Sequence, residues 1–239
     1  MGWQLISLYG MPKFHPPTLD VLQNAVVVKD AEVYYRNIYE SYEDAWTIRD
    51  RHMFNSLEAL KEHCEALCGG VCRAVVWAHN CHVSDARETE VAWEWHQANM
   101  GQLVKEKYGE QAVSIGFSTY SGTLTAASAW GEPGRCVRLK PPFPGTLEKI
   151  LHEVSPTNFL LDCRWVEPRE LCLWKRSIGL VYSEETQDRD NYYRAKVFKQ
   201  HDKIIHIDQT RAVEPLDKES VWSRIEEADE QPQTYPFGI

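Results

Sequence analysis

The sequence lacks the features that would place it in a membrane or on a nucleic acid. It has no uninterrupted run of about 18 apolar residues, the length that a membrane-spanning helix needs. Its 26 Lys and Arg are outnumbered by 35 Asp and Glu, for a formal net charge of −9. Without a basic run it lacks the positive surface that binds nucleic acid or an anionic membrane. We therefore expect a protein that binds neither.

The first residues also lack the pattern of a secretory signal peptide. The stretch MGWQLISLYGMPKF has no basic start followed by a full apolar core. Seven cysteines, an odd number in a chain of 239 residues, favour free thiols in a reducing compartment over a disulfide framework. Together these absences predict a cytoplasmic location.

Three of the cysteines lie close together in the sequence. Cys64, Cys68 and Cys72 recur at every fourth position, whereas structural zinc sites commonly pair cysteines as C-x-x-C. A zinc site on these three is an alternative to ordinary thiols. We predict no bound metal and no cofactor.

Two long helical patterns precede the first strand pattern. Apolar residues recur at helical spacing over 18–39 and 42–67, and Gly69-Gly70 ends the second pattern. Strands and shorter helices then alternate, which predicts an α/β fold with a partly parallel sheet flanked by helices. We place an irregular arm at residues 1–17, the domain at 18–217 and a charged tail at 218–239. The shorter helices are predicted within 99–110 and 146–154, and the strands within 72–78, 158–163, 176–182 and 202–208, while 191–201 fits either structure.

A turn signal interrupts the middle of the chain. Ser121-Gly122 separates the apolar stretches 112–120 and 123–128, which predicts a hairpin or a bent strand pair. Tyr120 and Thr123 flank this turn, where the backbone can approach a ligand. We take these two residues as candidates for substrate contact.

The strongest functional signal is AVVWAHNCHVSDAR, residues 74–87. A buried strand is predicted to end at His79 and His82, and ligands of open α/β sheets bind beyond the carboxyl ends of strands. Imidazoles titrate near neutral pH, so the pair can supply a general base, a proton donor or an oxyanion stabiliser. A satisfied loop or a metal site with two ligands from the HxxH spacing are the alternatives.

Polar residues near the two histidines are candidates for supporting roles. Asp85 can orient one ring by accepting its second N–H, and Asn80 can hold the loop or donate to an oxyanion. Asp50 lies on the apolar stripe of the second helix, where a buried carboxylate needs a donor. It forms either an internal ion pair or a polar group aimed into a site.

Several blocks of the sequence, in order, resemble the erythromycin esterase family over most of the chain. The resemblance implies hydrolysis of a small-molecule ester or lactone by water that a histidine activates, without a serine nucleophile; the sequence has no GxSxG. The AHNxH block of the family matches His79 and His82, and its RDxxM block matches Arg49, Asp50 and Met53. The blocks are RDRHMFNSLEAL, VVWAHNCHVSDAR, MGQLVKEKYGEQAVSIGFSTYSGTLTAAS, NFLLDCR, SIGLVY and IIHIDQTRAVEPL.

The sequence departs from the family in one respect that affects function. The family supplies a glutamate followed three residues later by a histidine, and no glutamate of this chain has a histidine at that spacing. The resemblance begins in the second half of the family, so we expect this chain to correspond to the C-terminal half of a larger fold. The hydrolase is then incomplete, and the alternative is a non-catalytic truncated remnant or binding module. Half a sheet would also expose an edge strand, which predicts self-association.

Overall fold

The computed structural model describes residues 18–40, 42–182 and 191–213. The expected arm at 1–17 and tail at 218–239 lie outside the described residues, so the domain boundaries stay predictions. Within the described part, no helix combines the length and the apolar character needed to cross a lipid bilayer.

The chain divides into two compact units, which are described separately. The first unit holds the described residues up to Val83 together with Trp95–Ala112, and the second holds Ser84–Glu94 and the described residues from Val113 onward. The first unit consists of helices, and the second combines helices with β-sheets, the larger of which contains a parallel strand pair. The predicted α/β class with a partly parallel sheet and flanking helices is confirmed.

The helices of the first unit begin and end close to where the sequence predicts. The long helices α1 and α2 pack against each other, and the His52 Nδ1 lies 2.8 Å from the Asp30 Oδ2 across that contact. The side chain of Asn99 accepts from the Gln102 N–H and so caps α5, which Gly109 terminates. The bounds are α1 Leu19–Glu40, α2 Tyr42–Cys68, α3 Asn80–Val83, α4 Glu90–Trp95, which spans the unit boundary, and α5 Met100–Tyr108.

The second unit contains a four-stranded and a two-stranded sheet. The order in the larger sheet is β2-β1-β6-β3, with β1 parallel to β6 and the other two pairs antiparallel. β4 and β5 form the smaller sheet. The bounds are β1 Ile115–Ala126, β2 Arg135–Arg138, α6 Leu147–Val154, β3 Phe159–Asp162, β4 Leu173–Arg176, β5 Tyr192–Ala195, α7 Val197–Gln200 and β6 Lys203–Thr210.

One apolar cluster holds the second unit together. It joins α6 and α7 to strands of both sheets, and its side chains are at most 8% exposed. Burying such side chains stabilises a fold by about 1.5–3 kcal/mol each. The buried members are Leu147, Leu151, Cys163, Leu173, Ala195, Val197, Phe198 and Ile204.

The strand predicted at 72–78 is wrong. These residues belong to no helix or strand of the described structure, and Val75 and Trp77 are 94% and 87% exposed. A β-branched run forms a buried strand only where a neighbouring strand and a covering layer are present. Within the described residues this segment pairs with no strand.

Three further predictions need correction. Residues 115–126 form the single strand β1 instead of a hairpin, and Gly122 lies within it at φ +115°. Of the strand predicted at 176–182, only Arg176 lies in a strand, where it is the last residue of β4. The ambiguous stretch 191–201 contains both structures, since β5 is followed directly by α7.

Candidate active site

The first unit holds His82 against a buried carboxylate. The His82 Nδ1 lies 2.8 Å from Asp50 Oδ1 and 3.0 Å from Asp50 Oδ2. Asp50 is fully buried, and the His82 side chain is 11% exposed. Because a carboxylate only accepts, the Nδ1 carries the proton and the Nε2 is left as the reactive nitrogen. An aspartate that orients a histidine in this way is a recurring part of hydrolase sites.

Backbone contacts fix the carboxylate and the loop around this pair. Asp50 Oδ2 also accepts the Met100 N–H at 2.9 Å. The Asn99 side chain donates to the Cys81 carbonyl at 2.7 Å, and the Thr47 hydroxyl accepts the Ala98 N–H at 3.0 Å. The start of α5 is thereby tied to α2 on one side and to the histidine loop on the other.

Arg49 and Trp46 enclose the ring of His82. The indole of Trp46 stacks on the imidazole with centroids 4.8 Å apart and an interplanar angle of 8°. The Arg49 Nη2 lies 3.5 Å from the His82 Nε2, and its guanidinium lies 5.5 Å from the Trp46 ring centroid. Since a guanidinium only donates, the Nε2 faces it with a lone pair. The ring is therefore held in the tautomer that accepts a proton at the Nε2.

His79 is held in the complementary tautomer. The Cys81 backbone N–H donates to the His79 Nδ1 at 3.3 Å, and the Cys81 Sγ lies 2.9 Å from the same nitrogen. With the Nδ1 accepting, a neutral ring carries its proton on the Nε2. His79 is exposed, so this loop combines a proton-donating ring with the proton-accepting ring of His82.

The remaining candidates of the histidine region occupy separate places. Asn80 begins α3, and Met53 follows Asp50 by three residues on α2 and is half-buried. Asp85 belongs to the second unit, where it caps the 3₁₀ turn 86–88 and binds the Arg87 guanidinium at 2.7 and 2.9 Å. Asp50, and not Asp85, lies against the His82 ring, and the role of Asp85 in orienting a ring stays a prediction.

Tyr120 and Thr123 also belong to the second unit, on β1. The Thr123 hydroxyl accepts the Ala212 N–H at 3.0 Å and so holds the chain after β6. The Tyr120 ring stacks on His152 of α6 with centroids 3.7 Å apart and an interplanar angle of 4°. The backbone at this position belongs to the strand β1 and not to a turn, and its contact with a ligand stays a prediction.

His152 belongs to an aspartate–histidine pair of the second unit, which the sequence-based predictions did not include. Its Nδ1 lies 2.6 Å from Asp208 Oδ1, and the fully buried His206 Nε2 lies 3.5 Å from the same oxygen without forming a hydrogen bond. Burial lowers the pKa of His206, against the opposing effect of Asp208. The spacing His206-x-Asp208 places both side chains on one face of β6, but no local spacing predicts the contact with His152, 56 residues away.

No group of three or more His, Cys, Asp or Glu in the described residues is arranged to hold a metal ion. The two residues that sequence reasoning missed around His82 are Trp46 and Met100. Trp46 lies one helical turn before Asp50, so its position was detectable. The Met100 contact uses a backbone N–H fifty residues away, and no local pattern encodes it.

The profile of the erythromycin esterase family matches residues 15–210 of this chain. Two solved structures share the fold at low identity. A protein from Bacillus cereus is 19% identical, with a TM-score of 0.65 over 81% of this chain and 45% of its own. A protein described as a succinoglycan biosynthesis protein is 22% identical, with a TM-score of 0.54 over 72% of this chain and 40% of its own.

A mutant of the erythromycin esterase EreC in its open conformation is 14% identical, with a TM-score of 0.49 over 74% of this chain and 41% of its own. The chain thus spans less than half the length of each of these three structures.

Proposed function

Because the chain belongs to the erythromycin esterase family, we propose that it hydrolyses a carboxylic ester or lactone by histidine-assisted attack of water. The family profile covers 15–210 and supports a hydrolase-like function at family level. The observation that carries the mechanism is the pair of His82 and the buried Asp50, at 2.8 Å. The substrate is a small molecule with a carbonyl open to attack.

His82 is the proposed base. Asp50 accepts the Nδ1 proton and stabilises the imidazolium that forms when the Nε2 takes a proton from water. The stacked Trp46 keeps the ring from rotating away from the carboxylate. In this arrangement the base is oriented before substrate arrives, which is where much of the rate gain of such sites originates.

His79 and Arg49 are the proposed electrophilic groups. The His79 Nε2–H can donate to the developing oxyanion or protonate the leaving alcohol. The Arg49 guanidinium lies 3.5 Å from the reactive nitrogen of His82 and adds a fixed positive charge beside the attacked carbonyl. Met53 and Asn80 are proposed to line the substrate side of the same region.

The alternative is a binding module of the same fold without turnover. Two observations favour it: no glutamate of the sequence is followed three residues later by a histidine, and the apolar segment 71–78 is exposed. A protein of this kind would bind the ester without cleaving it. Self-association through an exposed sheet edge also fits this alternative.

A hydrolysis assay with matched histidine variants separates the two. The purified chain is incubated with a panel of small aryl esters and one macrolactone, beside His82→Ala, His79→Ala and His152→Ala. His152 is the control because it also forms a short aspartate pair, at 2.6 Å, in the second unit. We expect a loss of about 10²–10⁴-fold in turnover for His82→Ala, a smaller loss for His79→Ala, and little change for the control.

Absence of turnover in a folded wild-type chain would overturn the catalytic proposal. Binding of the same esters, measured by calorimetry and weakened by His82→Ala, would then support the binding module. Equal losses in the His82 and His152 variants would contradict the choice of His82 as base.

A further inference from the structure

A thiol lies against one of the two histidines of the candidate site. The Cys81 Sγ is 2.9 Å from the His79 Nδ1, and the backbone N–H of Cys81 donates to the same nitrogen at 3.3 Å. Since a backbone N–H only donates, the His79 Nδ1 faces Cys81 with its lone pair. In the contact between the two side chains, the thiol is therefore the donor and the imidazole is the acceptor.

The backbone around Cys81 is held on both sides. Cys81 is the second residue of α3, and its carbonyl accepts from the Asn99 side chain at 2.7 Å. The His82 N–H donates to the His79 carbonyl at 2.9 Å, which closes a turn around the two residues between them. The fold itself thus brings the Cys81 sulfur to the His79 ring, before any reagent arrives.

Both members of this pair can be reached from solvent. His79 is exposed, and Cys81 is partly exposed. Cys163, in contrast, is buried in the apolar cluster of the second unit, where burial raises the pKa of its thiol to about 11. A small reagent can therefore approach the Cys81 sulfur, whereas the Cys163 sulfur is both shielded and protonated.

A thiol in contact with an imidazole is a nucleophile placed beside its base. The thiolate is the reactive form, and a free thiol with the usual pKa of about 8.5 is only about 3% ionised at pH 7. Transfer of the Cys81 proton to His79 gives a thiolate beside an imidazolium, and each charge stabilises the other. The contact between the two side chains therefore favours the reactive form of Cys81 near neutral pH.

We propose that Cys81 is a site of covalent modification, at which a hydroperoxide oxidises the thiol to a sulfenic acid with His79 as the base. His79 takes the thiol proton, the thiolate attacks one peroxide oxygen, and the O–O bond breaks. With hydrogen peroxide, the hydroxide that leaves takes the proton from the His79 imidazolium and becomes water. The sulfur loses two electrons and the peroxide gains them, so that one thiol and one peroxide become one sulfenic acid and one water.

The modification lies within the candidate site but does not depend on its activity toward esters. It requires only the contact between the Cys81 sulfur and the His79 ring, at 2.9 Å. A sulfenic acid adds an oxygen atom to the sulfur that lies against this ring. A small thiol can convert a sulfenic acid back to the thiol, so the modification is reversible.

Labelling of the reduced full chain tests this site directly. Cleavage after Lys and Arg releases AVVWAHNCHVSDAR, in which Cys81 is the single cysteine, and ELCLWK, which contains Cys172. The chain is treated briefly with hydrogen peroxide and dimedone, which traps sulfenic acids, and mass spectrometry measures the labelled fraction of each peptide.

We expect Cys81 to be labelled at least about three-fold faster than Cys172 at pH 7, because the gain in thiolate exceeds the loss in nucleophilicity. Cys172 is exposed and Cys81 only partly exposed, so easier access does not explain such a difference. Dithiothreitol added before dimedone should prevent the labelling.

Two variants and one denaturant separate the pair from general oxidation. His79→Gln removes the base and should lower the labelling rate at Cys81 to that at Cys172. His52→Gln, at a histidine of the same unit that contacts Asp30, should leave the rate unchanged. Both variants should keep the helical circular dichroism of the wild type. In concentrated urea, the rates at the two cysteines of the wild-type chain should become equal.

Three results would overturn the proposal. The first is labelling of Cys81 no faster than that of Cys172 in the folded wild-type chain. The second is an unchanged rate at Cys81 in a folded His79→Gln variant, since the imidazole would then have no role as a base. The third is a faster rate at Cys81 that persists in urea, since the advantage would then come from the local sequence and not from the fold.

Discussion

Replacing Asp50 by asparagine tests the arrangement around His82 most sharply. The buried carboxylate accepts from two groups, the His82 Nδ1 at 2.8 Å and the Met100 N–H at 2.9 Å. In Asp50→Asn one oxygen can still accept, but the amide nitrogen must face the other donor. A lost charged hydrogen bond costs about 1.5–3 kcal/mol and a buried unsatisfied donor about 1–3 kcal/mol more. We expect a loss of about 3–5 kcal/mol in the free energy of unfolding.

A matched control lies in the same unit. Asp30 and His52 form a pair at the same distance, 2.8 Å, with side chains 19% and 25% exposed. Burial by itself raises the pKa of Asp30, but hydrogen bonds to His52 and Lys29 lower it overall. Solvent weakens such a pair, so Asp30→Asn should cost about 1 kcal/mol or less.

Urea denaturation followed by circular dichroism measures both variants. A double-mutant cycle with His82→Gln isolates the pair, and we expect a coupling energy above about 1.5 kcal/mol. Nitrogen chemical shifts of the His82 ring should also show the loss of the Nδ1–H tautomer in Asp50→Asn. Equal costs for the Asp50 and Asp30 variants, or a coupling energy near zero, would refute the reasoning.

Two further predictions concern the second unit. Gly122→Ala should lower the free energy of unfolding by about 3 kcal/mol or more, because a Cβ would overlap the backbone of β6 and φ is +115°. The control Gly131→Ala, at φ +85° with open space around it, should lower it by only about 1 kcal/mol. Thermal denaturation measures both variants. Burial, with the charge of Lys175 beside it, lowers the pKa of His201 well below its usual value, so the unfolded state binds the extra proton. The contribution of His201 to the free energy of unfolding should therefore be constant above about pH 6.5 and fall by up to about 1.4 kcal/mol for each pH unit below it, a slope that His201→Gln removes.

The candidate site shows which of its residues local sequence patterns can predict. Asp50 was detectable because it lies on the apolar stripe of α2, and His79 and His82 because they follow an apolar run. Asp85 was the closer carboxylate in sequence, yet its nearest donor is Arg87, two residues away on the same turn. The His82 ring instead contacts the carboxylate of Asp50, 32 residues earlier in the sequence, because α2 places Asp50 beside the histidine loop.

The sequence by itself determined the helices α1, α2, α5 and α6 and the class of the fold. Helical periodicity, the Asn99 cap and the Gly109 stop are local properties, and the chain realises them within one or two residues of the predicted bounds. Only the tertiary structure decided that residues 71–78 form no strand and that residues 115–126 form the single strand β1. A β-branched run becomes a buried strand only if other strands supply its hydrogen bonds, and in β1 the pairing with β6 overrode the turn signal at Gly122.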